Sequence, residues 1–81
     1  MSGKLRLRVL SPYGVQADTE ADSVVLNAAD GSLGVHKGHT PALVLLKNGD
    51  IKYIADGQTH NMKTDGYIAE VTPDGVTLLT R

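Results

Sequence analysis

The sequence predicts an all-β protein, a sandwich or barrel of short strands, and its turn residues carry that prediction. Asp-Gly or Asn-Gly pairs occur at residues 30–31, 48–49, 56–57, 65–66 and 74–75. Both residues of such pairs tolerate the positive φ of a type I′ hairpin turn. The last four glycines, at 49, 57, 66 and 75, recur every eight or nine residues. This spacing fits one strand plus one turn, and it leaves too little chain for a helix between the turns.

The first strand is predicted over Lys4 to Leu10, where apolar and basic residues alternate. Leu5, Leu7 and Val9 share one face, and Lys4, Arg6 and Arg8 share the other. A period of two is the pattern of a half-buried strand, so the basic face should point outward.

Two continuous apolar runs, Ser23 to Leu26 and Ala42 to Leu46, predict strands of another kind. Strands without alternation are usually covered on both sides. We expect one side to pack on the opposite sheet and the other to be covered by a partner or a loop.

The C-terminal third predicts a meander of strands rich in β-branched residues. Its strands are expected over Ile51 to Ala55, Tyr67 to Thr72 and Val76 to Thr80. Thr59 to Thr64 is polar except for Met62, which predicts a weaker strand at a sheet edge.

The length of the chain, its net charge and its apolar runs argue against several classes of function. The 81 residues predict one small domain over 1–81. A net charge of −1 argues against nucleic acid as a partner. The longest apolar run, Ala42 to Leu46, is far shorter than a membrane span, so no direct membrane insertion is expected.

The residues that could carry chemistry do not form a recognisable catalytic or metal-binding pattern. His36 and His39 have an H-x-x-H spacing, but Gly34, Gly38 and Pro41 exclude the helix that would bring both rings to one face. No cysteine is present, and no nucleophile elbow or strand-to-helix phosphate loop is found. We therefore predict no enzyme activity, no metal, no cofactor and no tight nucleotide binding.

Charged residues near the N-terminus leave two interpretations open. Lys4, Arg6 and Arg8 form a basic stripe, and an acidic stretch follows at Asp18, Glu20, Asp22 and Asp30. The stripe is either a solvated face that protects a sheet edge or a charged docking patch.

The segment from Asp30 to Leu46 concentrates glycine, proline and histidine directly before the most apolar strand. It contains the pattern G-x-L-G-[VI]-x-x-G-H-x-P, formed by Gly31, Leu33, Gly34, Val35, Gly38, His39 and Pro41. In this pattern the chain resembles the epsilon subunit of F-type ATP synthases, called delta in mitochondria. The opening KLRLRVLSPYG, the stretch ADSVVLNAADG and the ending GYIAEVTPDGVTLLTR are similar to other parts of that family, so the resemblance spans residues 4–81.

The resemblance implies a flattened two-sheet β-sandwich and a non-catalytic role. Such a subunit belongs to the rotor, or central stalk, of a proton-translocating ATP synthase, where it holds the gamma subunit on the membrane-embedded c-ring. The chain would then be a peripheral protein on the cytoplasmic face of an energy-transducing membrane, attached through the complex.

Residue by residue, the resemblance implies two contact surfaces. Gly31, Ser32 and Leu33 would face the polar loops of the c-ring. His39, Thr40, Pro41 and Val44 would lie on or near the surface that meets gamma, with Ser11 close to the same end of the sandwich. Three positions depart from the family: Ser32 replaces a common acidic residue, Lys37 a common proline and Asp65 a frequent glycine.

The sequence stops at Arg81, where most members of the family continue into a helical hairpin that in some species binds ATP or inhibits hydrolysis. We expect those two functions to be absent from this chain.

Another class of function remains as an alternative. A small β-sandwich ligand-binding module would use His39 with Tyr13 or Tyr53, and a metal-dependent enzyme would use the histidines. Three tyrosines without Trp or Phe offer little to line a pocket, which favours the rotor subunit.

Overall fold

The computed structural model describes residues 3–81, and these form eight β-strands without a helix. The strands are β1 (Leu5–Ser11), β2 (Gly14–Ala21), β3 (Ser23–Ala28), β4 (Gly31–Val35), β5 (Ala42–Ala55), β6 (Gln58–Met62), β7 (Gly66–Thr72) and β8 (Gly75–Thr80). The all-β prediction is confirmed.

The strands form two sheets that share β5. The first sheet has the order β2-β1-β8-β7-β5, and the second has the order β4-β3-β5-β6. Neighbouring strands run antiparallel, except that β1 and β8 are parallel. The described residues extend over 35 × 25 × 20 Å, the shape of a flattened sandwich.

The core lies between the sheets and is built from alternating side chains. Leu5, Leu7 and Val9 of β1 are all at most 1% exposed, which confirms the predicted inward face of that strand. The other core residues come from β2, β3, β5, β7, β8 and the end of β4: Ala21, Val24, Leu26, Val35, Ile51, Ala69, Val71, Val76 and Leu78.

β5 is continuous, so the predicted hairpin turn at Asn48-Gly49 is wrong. At this point the strand passes from the first sheet into the second. The Asn48 side-chain oxygen accepts hydrogen bonds from Asn27 Nδ2 at 3.1 Å and from the Asp50 backbone N–H at 3.0 Å. A Cβ at Gly49 would overlap the backbone carbonyl oxygen of Thr64. Asn48 and Gly49 therefore lie at a bend within β5, where the absence of a side chain at Gly49 allows the Thr64 backbone to approach closely.

The Asp56-Gly57 pair does form the predicted kind of hairpin turn. Its φ values are 52° and 77°, both positive as a type I′ turn requires. It joins β5 to β6, and among the described strands β6 pairs only with β5, which confirms the predicted place of β6 at a sheet edge.

Two strands were not anticipated from the sequence. β2 contains Asp18 and Glu20 of the acidic stretch, and β4 lies inside the segment from Asp30 to Leu46 that is rich in glycine, proline and histidine. Each hydrogen-bonds to a single neighbour, β1 and β3 respectively. These edge positions explain why neither strand shows a strong apolar pattern.

The apolar run Ala42 to Leu46 is covered on one side only within residues 3–81. Leu43 is 73% exposed and Leu45 is 66% exposed, whereas Val44 packs against the core. No part of the described chain covers the outer side, so the expected cover on both sides is not found within these residues.

Candidate functional site

The segment between β4 and β5 forms a loop that is hydrogen-bonded to the turn between β7 and β8. The Gly38 N–H donates to the Pro73 carbonyl oxygen at 2.8 Å, and the His39 N–H donates to the His36 carbonyl oxygen at 3.2 Å. Gly38 has a φ of 85°, which favours glycine at this position. Residues 36–41 are therefore held beside the turn between β7 and β8.

The residues assigned to the c-ring are the first three residues of β4, directly after the turn between β3 and β4. Gly31 and Ser32 are exposed, and Leu33 is half-buried against the core. The Ala29 N–H donates to the Leu45 carbonyl oxygen at 3.0 Å, so this turn sits beside the first half of β5.

A shallow depression joins this turn to β5. It is lined by Ala28, Ala29, Asp30, Gly31, Ser32, Leu33, Leu43, Val44 and Leu45. The depression thus brings together all three residues assigned to the ring and one residue assigned to gamma.

The other residues assigned to gamma lie elsewhere. Ala42 is level with Val71, Val76 and Leu7, whereas Leu45 is level with Ile68, Leu79 and Leu10. His39, Thr40 and Pro41 precede Ala42, and Ser11 follows Leu10. The expectation that Ser11 lies close to the same end as His39 is therefore wrong, because the strand register puts the two at opposite ends of the first sheet.

Ser11 and His39 each make local hydrogen bonds. The Ser11 hydroxyl donates to the Gly14 carbonyl oxygen at 3.3 Å and accepts from the Tyr13 N–H at 3.1 Å, which closes the turn between β1 and β2. His39 Nδ1 lies 2.7 Å from the Thr40 carbonyl oxygen. Since a carbonyl oxygen only accepts, this hydrogen bond requires a proton on Nδ1 and leaves Nε2 for another contact.

His39, Tyr13 and Tyr53, the residues of the alternative ligand-binding site, do not form a common site in the structure. Tyr53 stacks on His60 across β5 and β6, with ring centroids 4.9 Å apart and an interplanar angle of 16°. Tyr13 is 97% exposed in the turn between β1 and β2, at the opposite end of the first sheet from His39. Within residues 3–81, no three His, Cys, Asp or Glu side chains are grouped to hold a metal ion.

Two of the three residues of the basic stripe, Arg6 and Lys4, pair with acidic residues, whereas Arg8 Nε is buried without a hydrogen-bond partner among the described residues. Arg6 Nε and one terminal nitrogen donate to the two Asp18 carboxylate oxygens at 3.0 and 2.7 Å. Lys4 Nζ lies 2.9 Å from Asp56 and 3.6 Å from Asp22. These pairs favour the interpretation of a solvated, edge-protecting face over a docking patch.

The same pairs shift the acid–base equilibria of these groups. The hydrogen bond from Arg6 lowers the pKa of the Asp18 carboxyl, and the hydrogen bond from Lys4 lowers the pKa of Asp56. Conversely, the hydrogen bond to Asp56 raises the pKa of the Lys4 ammonium.

The outer face of the first sheet carries an apolar feature that the sequence did not reveal. Cross-strand pairing aligns one side chain from each of its five strands: Leu45, Ile68, Leu79, Leu10 and Val15. We call these residues the apolar row. Leu45, Val15 and Leu79 are 66%, 61% and 38% exposed, and Ile68 and Leu10 are half-buried.

A sequence signal for the apolar row exists but is incomplete. Leu10 and Leu79 occupy positions where strict alternation places polar residues on the outer face. Their alignment with Leu45 and Val15 depends on strand order and on the register shift between Val9 and Leu10 in the β1–β2 pair. Neither can be read from a single strand.

Comparison with known proteins gives a consistent family assignment. The family described as ATP synthase, Delta/Epsilon chain, beta-sandwich domain matches residues 4–81. The ATP synthase epsilon chain of Thermodesulfovibrio yellowstonii is 35% identical over 79 residues, which cover 98% of this chain and 56% of that protein. The same-named chain of Granulibacter bethesdensis is 40% identical over 74 residues, covering 90% of this chain and 55% of that protein.

A third relative, the ATP synthase epsilon chain of Bacillus subtilis, is 34% identical over 77 residues, covering 95% of this chain and 58% of that protein. The chain thus spans 55% to 58% of the length of these three relatives. Residues 3–81 contain no helix long and apolar enough to span a bilayer. The chain belongs to the family of ATP synthase delta/epsilon β-sandwich domains.

Proposed function

We propose that this chain is a rotor subunit of a proton-translocating F-type ATP synthase and couples the gamma subunit to the c-ring. Family membership supports the proposal, as do relatives that carry the name ATP synthase epsilon chain. One observation carries the coupling role: an anchored glycine loop and an exposed turn flank a strand whose apolar outer side is uncovered within residues 3–81.

On the ring side, the proposed contacts are Gly31, Ser32 and Leu33. Gly31 and Ser32 are exposed at the start of β4, next to the turn from β3, while Leu33 packs against the core. A hydroxyl at position 32 can donate to or accept from polar groups of the ring loops. The contact would therefore rest on hydrogen bonds, without a carboxylate at position 32.

On the gamma side, the proposed contacts are Ser11, His39, Thr40, Pro41 and Val44. Thr40 and Pro41 are exposed, and the His39 ring keeps Nε2 for a partner while Nδ1 binds Thr40. Val44 contributes differently from the others. Its side chain packs against the core, so it supports the surface from beneath.

The proposed role is mechanical, with no catalytic step, metal, cofactor or tight nucleotide binding by this chain. Gamma and the c-ring are the proposed partners, and nucleic acid is not. The chain would be a peripheral component at the cytoplasmic face of an energy-transducing membrane, held there by the complex.

Direct binding measurements test the proposal. Calorimetric titration of the chain into the gamma subunit from the same source should give one complex of 1:1 stoichiometry. Adding the chain should also increase retention of gamma on c-rings in lipid nanodiscs. Failure of the folded chain to bind gamma up to its solubility limit would contradict the proposed function.

A further inference from the structure

The Asn48-Gly49 pair at the bend of β5 is a chemically labile dipeptide that the proposed function leaves unused. Asparagine is thermolabile, and it loses its side-chain amide most readily when glycine follows, because glycine leaves its own backbone nitrogen unhindered. We infer that Asn48 is a deamidation site and that the hydrogen bonds of the bend keep it unreactive while the protein is folded. The inference does not depend on the proposed function.

The reaction is intramolecular and consumes only water. The Gly49 backbone nitrogen attacks Asn48 Cγ and forms a C–N bond, and the side-chain nitrogen leaves as ammonia, taking up the proton of the Gly49 amide. Water then opens the resulting succinimide at either carbonyl, which leaves aspartate or isoaspartate at position 48. The net change is the replacement of one amide by one carboxylate.

The extended backbone of β5 opposes closure of the succinimide ring. Asn48 and Gly49 both lie inside the strand, which is continuous from Ala42 to Ala55. Ring closure requires the Asn48 backbone to rotate away from the extended conformation, so that Cγ can reach the next nitrogen. The Asn48 side chain is exposed and accessible to water. The conformation of the bend, and not access of water, therefore limits the reaction.

Two hydrogen bonds hold the amide that would react. The Asn48 side-chain oxygen accepts from Asn27 Nδ2 at 3.1 Å, which ties it to β3. It also accepts from the Asp50 backbone N–H at 3.0 Å. Rotation of Asn48 toward the succinimide geometry must break the bond to Asn27, because that partner lies on another strand.

The Gly49 side of the bend is held by Thr64. The Thr64 hydroxyl donates to the Gly49 carbonyl oxygen at 2.7 Å and accepts from the Gly66 N–H at 3.0 Å. Gly49 is buried, and a Cβ there would overlap the Thr64 carbonyl oxygen. The same close approach that requires glycine at position 49 also restrains its main chain. The fold thus both requires the labile pair and restrains it.

A measurement on the wild type tests the inference without any variant. Mass-spectrometric peptide mapping at mildly alkaline pH follows deamidation of Asn48 in native buffer and in unfolding concentrations of urea. The rate should be about tenfold or more lower in buffer, because reaction of the folded chain requires a local opening of the bend. Equal rates in buffer and in urea would overturn the inference.

Thr64→Val with a matched control tests the restraint itself. Valine keeps the shape of threonine but lacks the hydroxyl that binds Gly49 and Gly66. The folded variant should deamidate about twofold to tenfold faster than the wild type in buffer, and at the wild-type rate in urea. Thr59→Val makes the same change on β6, where Thr59 pairs with Ile54, and should react at the wild-type rate. Far-UV circular dichroism establishes that each variant is folded.

Two further variants separate the bend from global stability. Asn27→Ala removes the other restraint and should also accelerate the reaction. Val71 is fully buried at the opposite end of β7 from Gly66, so Val71→Ala weakens the whole fold without removing a contact of the bend. At matched free energy of unfolding, equal acceleration by Val71→Ala and Thr64→Val would assign the protection to global folding and overturn the inference. Wild-type rates in both folded Thr64→Val and folded Asn27→Ala would overturn it as well.

Discussion

Arg6 and Asp18 form a two-point ion pair across β1 and β2, with nitrogen-to-oxygen distances of 3.0 and 2.7 Å. The pair is diagonal, since Arg6 is level with Glu20 and Arg8 is level with Asp18. It joins the basic face of the first strand to the acidic edge strand.

Replacing Asp18 should give a pH-dependent loss of stability. Because Arg6 lowers the pKa of Asp18 in the folded state, the carboxylate stabilises the fold at pH values above its unfolded pKa of about 3.9. That contribution disappears as the pH falls through the lowered folded pKa. Asp18→Asn should therefore lower the urea midpoint modestly at pH 7, and the difference from the wild type should vanish in strong acid.

Glu20→Gln is the control for this measurement, because Glu20 forms no ion pair within residues 3–81. An Asp18→Asn effect that persists unchanged in strong acid would show that the ion pair is not its cause.

Substitution of Gly49 should destabilise the fold at the bend of β5. A Cβ at this position would overlap the Thr64 carbonyl oxygen and approach the Gly66 backbone nitrogen. Both are backbone atoms, so relieving the overlap requires a displacement of the main chain. Gly49→Ala should cost about 1–3 kcal/mol in the free energy of unfolding, measured by urea denaturation. Gly34→Ala is the control, since a Cβ there meets nothing within 4 Å. Equal stability of the two variants would refute the role assigned to the bend.

Truncation of a core leucine should cost far more than truncation of an exposed one. Leu78 is fully buried and Leu43 is 73% exposed. Leu78→Ala should lower the free energy of unfolding by about 2–5 kcal/mol, and Leu43→Ala should change it by about 0.5 kcal/mol or less. A large loss on Leu43→Ala would mean that the chain itself covers this side chain in solution.

A charge introduced at position 32 should affect the ring and not gamma. Ser32 is exposed near the start of β4, beside the turn between β3 and β4, so Ser32→Arg should change retention on c-rings while leaving gamma affinity nearly unchanged. The effect should weaken with added salt, because charges are screened over about 8 Å at physiological ionic strength. Thr59→Arg adds the same charge on β6, at the other edge of the second sheet, and serves as the control. An equal effect of both variants would indicate a response to net charge and not to the turn.

The local features of this fold could be predicted because their causes are local. Alternation in Leu5, Leu7 and Val9 follows from the geometry of a single strand, in which successive side chains point to opposite faces. The Asp56-Gly57 turn follows from the tolerance of both residues for positive φ. The signature from Gly31 to Pro41 likewise indicated the family from consecutive residues alone.

The structure differed from the sequence predictions where the cause was a distant residue. Asn48-Gly49 has the composition of a turn, yet Asn48 accepts a hydrogen bond from Asn27, and Gly49 accepts one from the Thr64 hydroxyl, which hold the pair as a bend inside one strand. The β2 and β4 strands have weak apolar patterns, and each owes its conformation to hydrogen bonds with a neighbour.

From the residues alone, this chain could be identified as an all-β member of its family with a period-two core. The folded structure alone reveals three further features: the parallel pairing of β1 with β8, the placement of Ser11 and His39 at opposite ends of the first sheet, and the alignment of Leu10, Leu79 and Leu45 in one row. The physical reason is that strand order and register come from hydrogen bonds between segments far apart in the chain, and a pattern within one strand does not specify them.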